Sequence, residues 1–243
     1  MAFERVYEPA EDSYLLLDTL SSDSEKAFLK HRFSDTPTAS VSPLVIEVGT
    51  GSGVVLSFVH AYAETLFGRA DVLTAGVDVN SYACEATVRT VKVAEQEQSA
   101  QVKTHGLYLG NVVGDLTSPL RSSMVDVLIF NPPYVPTPDL PELPALSETP
   151  AQPSFEADSH LLALSYAGGA DGMETTDRLL DALPGILHTG RGCAYVLLCA
   201  QNKPEEVKQR IQSWGEEWGV ETVGRSGKKA GWEKLQIIRI YRT

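Results

Sequence analysis

Short β-branched runs alternate with stretches of helical spacing from Leu44 to Tyr241, and this alternation restricts the chain to an α/β fold with a mainly parallel sheet. The first run, Leu44–Val48, ends in Gly49. Gly51–Phe67 follows with apolar residues at 54, 55, 58, 59, 62 and 66, the spacing of a helix with one buried face. A second strand is expected over Leu73–Val79, then a helix over Tyr82–Glu97 with Ser81 as its N-cap. A third, weaker strand falls within Gly106–Val113, and a fourth, Val125–Phe130, runs into Asn131-Pro132-Pro133-Tyr134. A helix at Thr175–His188, which Pro184 should kink or end early, precedes a fifth strand at Cys193–Ala200. Lys203–Trp214 reads as a helix with Pro204 in its first turn, and Leu235–Tyr241 as a closing strand.

A chain of 243 residues fits one large domain, here taken as 1–243. Residues 1–43 form an N-terminal helix and a Ser/Thr/Pro-rich linker, and 135–159 a proline-rich loop over the active site, since loops this long tend to be functional. No apolar run reaches the ~20 residues of a membrane helix. Three cysteines without a CxxC pair argue against a disulfide framework and a cysteine-held metal, so no metal and a reducing, cytoplasmic or nuclear location are expected. The net charge of −12 argues against nucleic acid as the sole partner, because phosphate neutralisation dominates such binding. The densest basic run, Arg225–Lys234, reads as a solvated loop and strand start.

Acids stand at three successive strand ends. Glu47 precedes the glycine turn Gly49-Thr50-Gly51-Ser52-Gly53, where the backbone leaves room for a ligand and an acid suits a cationic amine. Asp78 ends the second strand and can accept from both ribose hydroxyls; alone, it would read as a helix cap. Asp115, with Leu116, follows the third strand and can meet an adenine amine and ring; alone, it would read as a turn residue. The carboxyl edge of a parallel sheet is where such folds bind ligands. Asn131-Pro132-Pro133-Tyr134 adds the deciding element: prolines withhold N–H groups, leaving the Asn131 side-chain and Pro132 carbonyls as rigid acceptors for a planar NH₂ on which Tyr134 can stack.

This set resembles the class I S-adenosylmethionine-dependent methyltransferases. With Tyr7-Glu8-Pro9-Ala10-Glu11-Asp12-Ser13 and Tyr166-Ala167-Gly168-Gly169-Ala170-Asp171-Gly172, it is similar to the HemK-type glutamine methyltransferases, the eukaryotic release-factor type in particular. The resemblance implies a Rossmann-like, mostly parallel seven-stranded sheet with helices on both faces and an antiparallel C-terminal strand. It implies S-adenosylmethionine as cofactor, held by Ser13, Glu47, Gly49, Gly51, Asp78, Asp115, Leu116 and Asn131. It implies a glutamine held by Asn131, Pro132, Pro133 and Tyr134, within the Gly-Gly-Gln motif of the class 1 peptide release factor. It also implies a small zinc-binding activator subunit along the apolar third strand, Leu107, Leu109, Val112 and Val113. An adenine-N6 DNA or RNA methyltransferase is the alternative, since its target is also a planar NH₂. A nicotinamide dehydrogenase is excluded by the GxGxG spacing.

Overall fold

The computed structural model describes residues 5–34, 41–101, 103–143, 155–227 and 234–243. Seven strands form one sheet: β1 (Leu44–Val48), β2 (Leu73–Asp78), β3 (Leu107–Val113), β4 (Val127–Phe130), β5 (Cys193–Cys199), β6 (Trp218–Arg225) and β7 (Leu235–Arg242). Their order is β3-β2-β1-β4-β5-β7-β6. The first five are mutually parallel, and β7 runs antiparallel to both β5 and β6. The chain steps outward from β1 to β3, then returns to the other side of β1 for β4. Neighbouring connections therefore diverge between β1 and β4 and leave a crevice beyond their carboxyl ends.

Period-two alternation assigns the two faces. Leu44, Ile46 and Val48 of β1, with Ala194, Val196 and Leu198 of β5, pack under α7 (Glu174–Ile186) and α8 (Pro204–Gln212). Val45 of β1, with Tyr195 and Leu197 of β5, faces α1 (Glu11–Ser21), α2 (Asp23–Phe33), α3 (Val54–Ala61) and α4 (Ala63–Phe67). Two ion pairs lie inside this packing. Arg191 grips Asp126 through two bonds of 2.8 and 3.0 Å. Arg239 of β7 reaches both carboxylate oxygens of Glu25 on α2 at 2.8 and 2.7 Å, and Tyr195 donates to the same carboxylate at 2.8 Å. Burial of charge at this depth is tolerable only with such partners.

Several expected boundaries move. The helix expected over Gly51–Phe67 starts at Val54 and breaks at Tyr62, whose φ of −108° and ψ of 23° leave the helical range. The cap of α5 (Ser81–Ala100) is Asn80, not Ser81: its side chain accepts from the Tyr82 N–H at 3.0 Å. β4 begins at Val127, and Val125 makes only an isolated bridge to Leu187. α7 runs two residues past Pro184, closing with the Leu187 N–H on the Leu183 carbonyl at 3.0 Å. The N-terminal region holds two helices, with Ser22 capping the second through the Glu25 N–H. The end of the proline-rich loop is helical: α6 spans Phe155–Tyr166, while residues 144–154 lie outside the described residues. So do 35–40 of the linker and 228–233 of the basic run, which Arg225 opens as the last residue of β6.

β3 forms one edge of the sheet. Its apolar side chains stand out of the fold, with Leu107 54% and Leu109 61% exposed and Val112 and Val113 close behind.

Candidate active site

The crevice between β1 and β4 deepens into a cavity that gathers most of the expected residues: Ser13, Glu47, Gly49, Gly51, Asp78, Asp115, Leu116, Asn131 and Pro133. Each is placed by the end of a strand or the start of a helix. Glu47 points into the mouth of α3, where its carboxylate accepts from the Leu56 N–H at 2.9 Å, one of the donors a helix start leaves unpaired. Burial pushes the Glu47 carboxyl well above its ordinary range, against that helix donor. The turn before α3 needs glycine at Gly53. Its φ is +77°, and a Cβ there would lie 2.6 Å from Thr87 Cα on α5.

Asp78 locks two turns together. One carboxylate oxygen accepts from the Gly51 N–H at 3.0 Å and the other from the Asn80 N–H at 2.8 Å. Burial raises its pKa, and the backbone donors oppose the rise. Asp115 is paired with Arg178 of α7 across the cavity. Beside it Leu116 adopts φ +49°, an uncommon conformation for a branched side chain. Ser13 sits buried at the start of α1, its hydroxyl 3.2 Å from the Asp12 carboxylate, which Tyr7 also bonds at 2.8 Å.

Asn131 follows directly on β4, and its side-chain Oδ1 is buried with no hydrogen-bond partner among the described residues. Pro132 and Tyr134 do not line the cavity; Tyr134 packs instead against the apolar layer that holds Leu16 and Val55. The Tyr134 carbonyl is held by Asn202 Nδ2 at 3.2 Å, and the same amide reaches the carbonyls of Asp171 at 3.0 Å and Gly172 at 3.3 Å. Asn202 thus ties the tetrapeptide to the glycine segment at 166–172. Val135 and Gly168 add a backbone bond of 2.8 Å.

No protein-family model matches the chain. The chain is 33% identical over 240 residues to the eRF1 methyltransferase catalytic subunit mtq2 of Schizosaccharomyces pombe, covering 99% of this chain and 90% of that one. It is 30% identical over 241 residues to Methyltransferase HEMK2 of Homo sapiens, covering 98% and 90%. A Bradyrhizobium diazoefficiens ribosomal protein uL3 glutamine methyltransferase is 30% identical over 205 residues, covering 84% and 53%. The chain belongs to the HemK-type protein glutamine methyltransferases. It is an S-adenosylmethionine-dependent enzyme that methylates the N5 nitrogen of a glutamine.

The residues of this HemK-type site fit that cofactor. Among the described residues the buried acids Glu47 and Asp78 face one cavity without an ion pair, while Asp115 has Arg178, and Arg5 at the cavity wall is paired with Asp158. Such a surplus of negative charge suits a ligand carrying an ammonium and a sulfonium. The residues that sequence reasoning missed enclose the same cavity. Arg178 arrives from α7, Leu140 and Leu143 from the proline-rich segment, and Leu161 and Leu164 from α6. Their sequence signal is ordinary helix or loop spacing, indistinguishable from a core face.

Proposed function

We propose that this methyltransferase acts on the glutamine of the Gly-Gly-Gln motif of the class 1 peptide release factor, as catalytic subunit of a heterodimer with a small zinc-binding activator. One observation supports the substrate class: the buried Oδ1 of Asn131 has no donor among the described residues. An amide oxygen kept dry and unpaired costs about 1–3 kcal/mol, which a planar NH₂ in the site offsets. The release factor is supported by the name of the fission-yeast relative. The net charge of −12 favours a protein acceptor over adenine in nucleic acid. The activator is supported by the apolar edge at β3, unpaired among the described residues, since exposed edges recruit partners. We place the reaction in the cytoplasm, and cell fractionation tests that.

In this reading Glu47 and the backbone at Gly49 and Gly51 take the methionine part of the cofactor. Asp78 takes the ribose, Asp115 with Leu116 the adenine, and Ser13 covers the ligand. Bound S-adenosylmethionine supplies an electrophilic methyl carbon on a positively charged sulfur. Asn131 accepts one hydrogen of the glutamine NH₂, and the Pro132 carbonyl, one residue on though outside the cavity lining, is the second acceptor once the substrate is seated. Both bonds polarise the N–H groups and fix the direction of the nitrogen, so the gain comes from orientation and electrostatics. The proton passes from the nitrogen to water after methylation, when the nitrogen has become strongly acidic, so no basic side chain is required.

A methyl-transfer assay with the release factor, its glutamine-to-alanine form and adenine-containing oligonucleotides, with and without the activator, tests the proposal. Label confined to the intact release factor is expected. Label on the glutamine-free form or on the oligonucleotides overturns it.

A further inference from the structure

At the opposite end of the sheet from the cofactor cavity, three side chains converge from three elements. His60 lies in the last turn of α3, Glu95 lies on α5, and His105 stands just before β3. One ligating atom from each lies within 4.8 Å of the other two. His60 Nε2 is 3.1 Å from a Glu95 carboxylate oxygen, and the two imidazole rings are 5.0 Å apart. We propose that His60, Glu95 and His105 form a binding site for a zinc ion.

The donor set is the first argument. Two imidazoles and one carboxylate, with water as the fourth ligand, match the tetrahedral N/O chemistry of Zn²⁺. At ordinary zinc–ligand lengths, donors in such a site stand ~3.3 Å apart. The His60–Glu95 pair already has that spacing. His105 and Glu95 are only partly buried, so their side chains can close the remaining distance, and the ion has a path in from solvent.

The outer contacts are the second argument. A metal-bound histidine usually donates its other ring N–H to an oxygen, which fixes the ring and the tautomer. Both histidines have such an acceptor in place. His105 Nδ1 lies 2.8 Å from the Gly106 carbonyl, which can only accept, so Nδ1 carries the proton and Nε2 the lone pair. His60 Nε2 donates to the Glu95 carboxylate in this structure; an ion bound there would displace that proton, and the Thr74 hydroxyl, 3.2 Å from Nδ1, can accept the N–H of the resulting tautomer. The ring of Tyr108 packs edge-on to His60 and walls that side of the cluster.

The site would join α3, α5 and the entry to β3, the exposed edge strand. None of its residues lines the cofactor cavity. The test uses the full, tag-free chain stripped with a chelator and titrated with ZnCl₂ by calorimetry, with MgCl₂ as control. CoCl₂ is added in parallel to read four-coordinate binding from its visible absorption. Expected are one equivalent of zinc bound at micromolar affinity or tighter, a raised Tm, and no magnesium response. His105→Ala and Glu95→Gln should each weaken zinc binding at least about tenfold while the cofactor still binds. His60 is left intact because it is fully buried. No saturable binding, or binding equally tight in both variants, overturns the proposal.

Discussion

Gly172→Ala should separate the geometry of the substrate pocket from cofactor binding. Gly172 lies outside the cavity, with φ at +69°, and an added Cβ would fall well inside contact distance of the Tyr134 carbonyl oxygen and 2.8 Å from Asn202 Nδ2. Relief requires the Tyr134 carbonyl to retreat by about 1 Å, because carbon–oxygen contacts repel steeply below their optimum. Tyr134 is three residues from Asn131, with two stiff prolines between, so the displacement passes to Asn131 rather than dissipating. A misplacement of about 1 Å in a positioned reacting group costs roughly 10²-fold in rate. The left-handed backbone adds about 1–2 kcal/mol of strain, a loss of roughly 2–8 °C in Tm for a chain of this size. Glu47, Asp78 and Asp115 lie on other loops, so the calorimetric affinity for S-adenosylmethionine should stay within about threefold. The assay is the turnover number for release-factor methylation at saturating cofactor, with calorimetry on the same preparation. Turnover within about threefold of the parent would refute the claim that this glycine segment sets the tetrapeptide.

Three further outcomes are expected. Asn131→Ala should lower kcat by about 10²–10³-fold, leave the cofactor Kd nearly unchanged and not lower Tm, since it removes an unpaired buried acceptor; near-normal turnover would exclude Asn131 as the acceptor. Burial raises Glu47 and Asp78 in the free chain, and a bound ammonium favours their ionised forms, so cofactor binding should release protons and weaken as pH falls through those raised values; an affinity constant from about pH 5 to 8 would contradict this. By the same sign, the free chain loses stability as pH rises through those values. Leu109→Lys, at an exposed position, should leave Tm within about 2 °C yet abolish co-purification with the proposed activator; unchanged pairing would move that proposed contact off β3.

Sequence legibility tracked burial on both faces. β1, β4 and β5 are buried throughout, and each is legible as a dominantly apolar run, broken in β1 by Glu47. β6 was not placed, because Trp218–Arg225 is an outer strand whose residues are mostly half-exposed, and its alternation is interrupted where pairing shifts between Thr222 and Gly224. α6 follows a proline-rich stretch and carries almost no one-sided apolar stripe, so nothing local announced a helix. Asn80 and Ser81 are both good caps; only the observed bond to the Tyr82 N–H separates them. In the site, residues at strand ends were legible because topology delivers strand ends to one edge. The Asp115–Arg178 pair was not, since it joins residues 63 positions apart. Nor could spacing tell that Asn202 would hold the Tyr134 carbonyl.

The Glu25–Arg239 pair has a consequence for the order in which the chain is made. Glu25 emerges from the ribosome early, as part of α2. Its counter-charge follows 214 positions later, on β7. Until then the carboxylate has no guanidinium, and the interior beside Tyr195 would hold an uncompensated charge, which is strongly unfavourable. β7 also sits between β5 and β6, so β6 has no neighbour to pair with before β7 is made. A nascent chain that ends short of β7 therefore cannot complete its apolar layers, and folding to the final state waits on the last strand. Truncations before Leu235 should accordingly be cleared by proteolysis rather than accumulate as partly active enzyme.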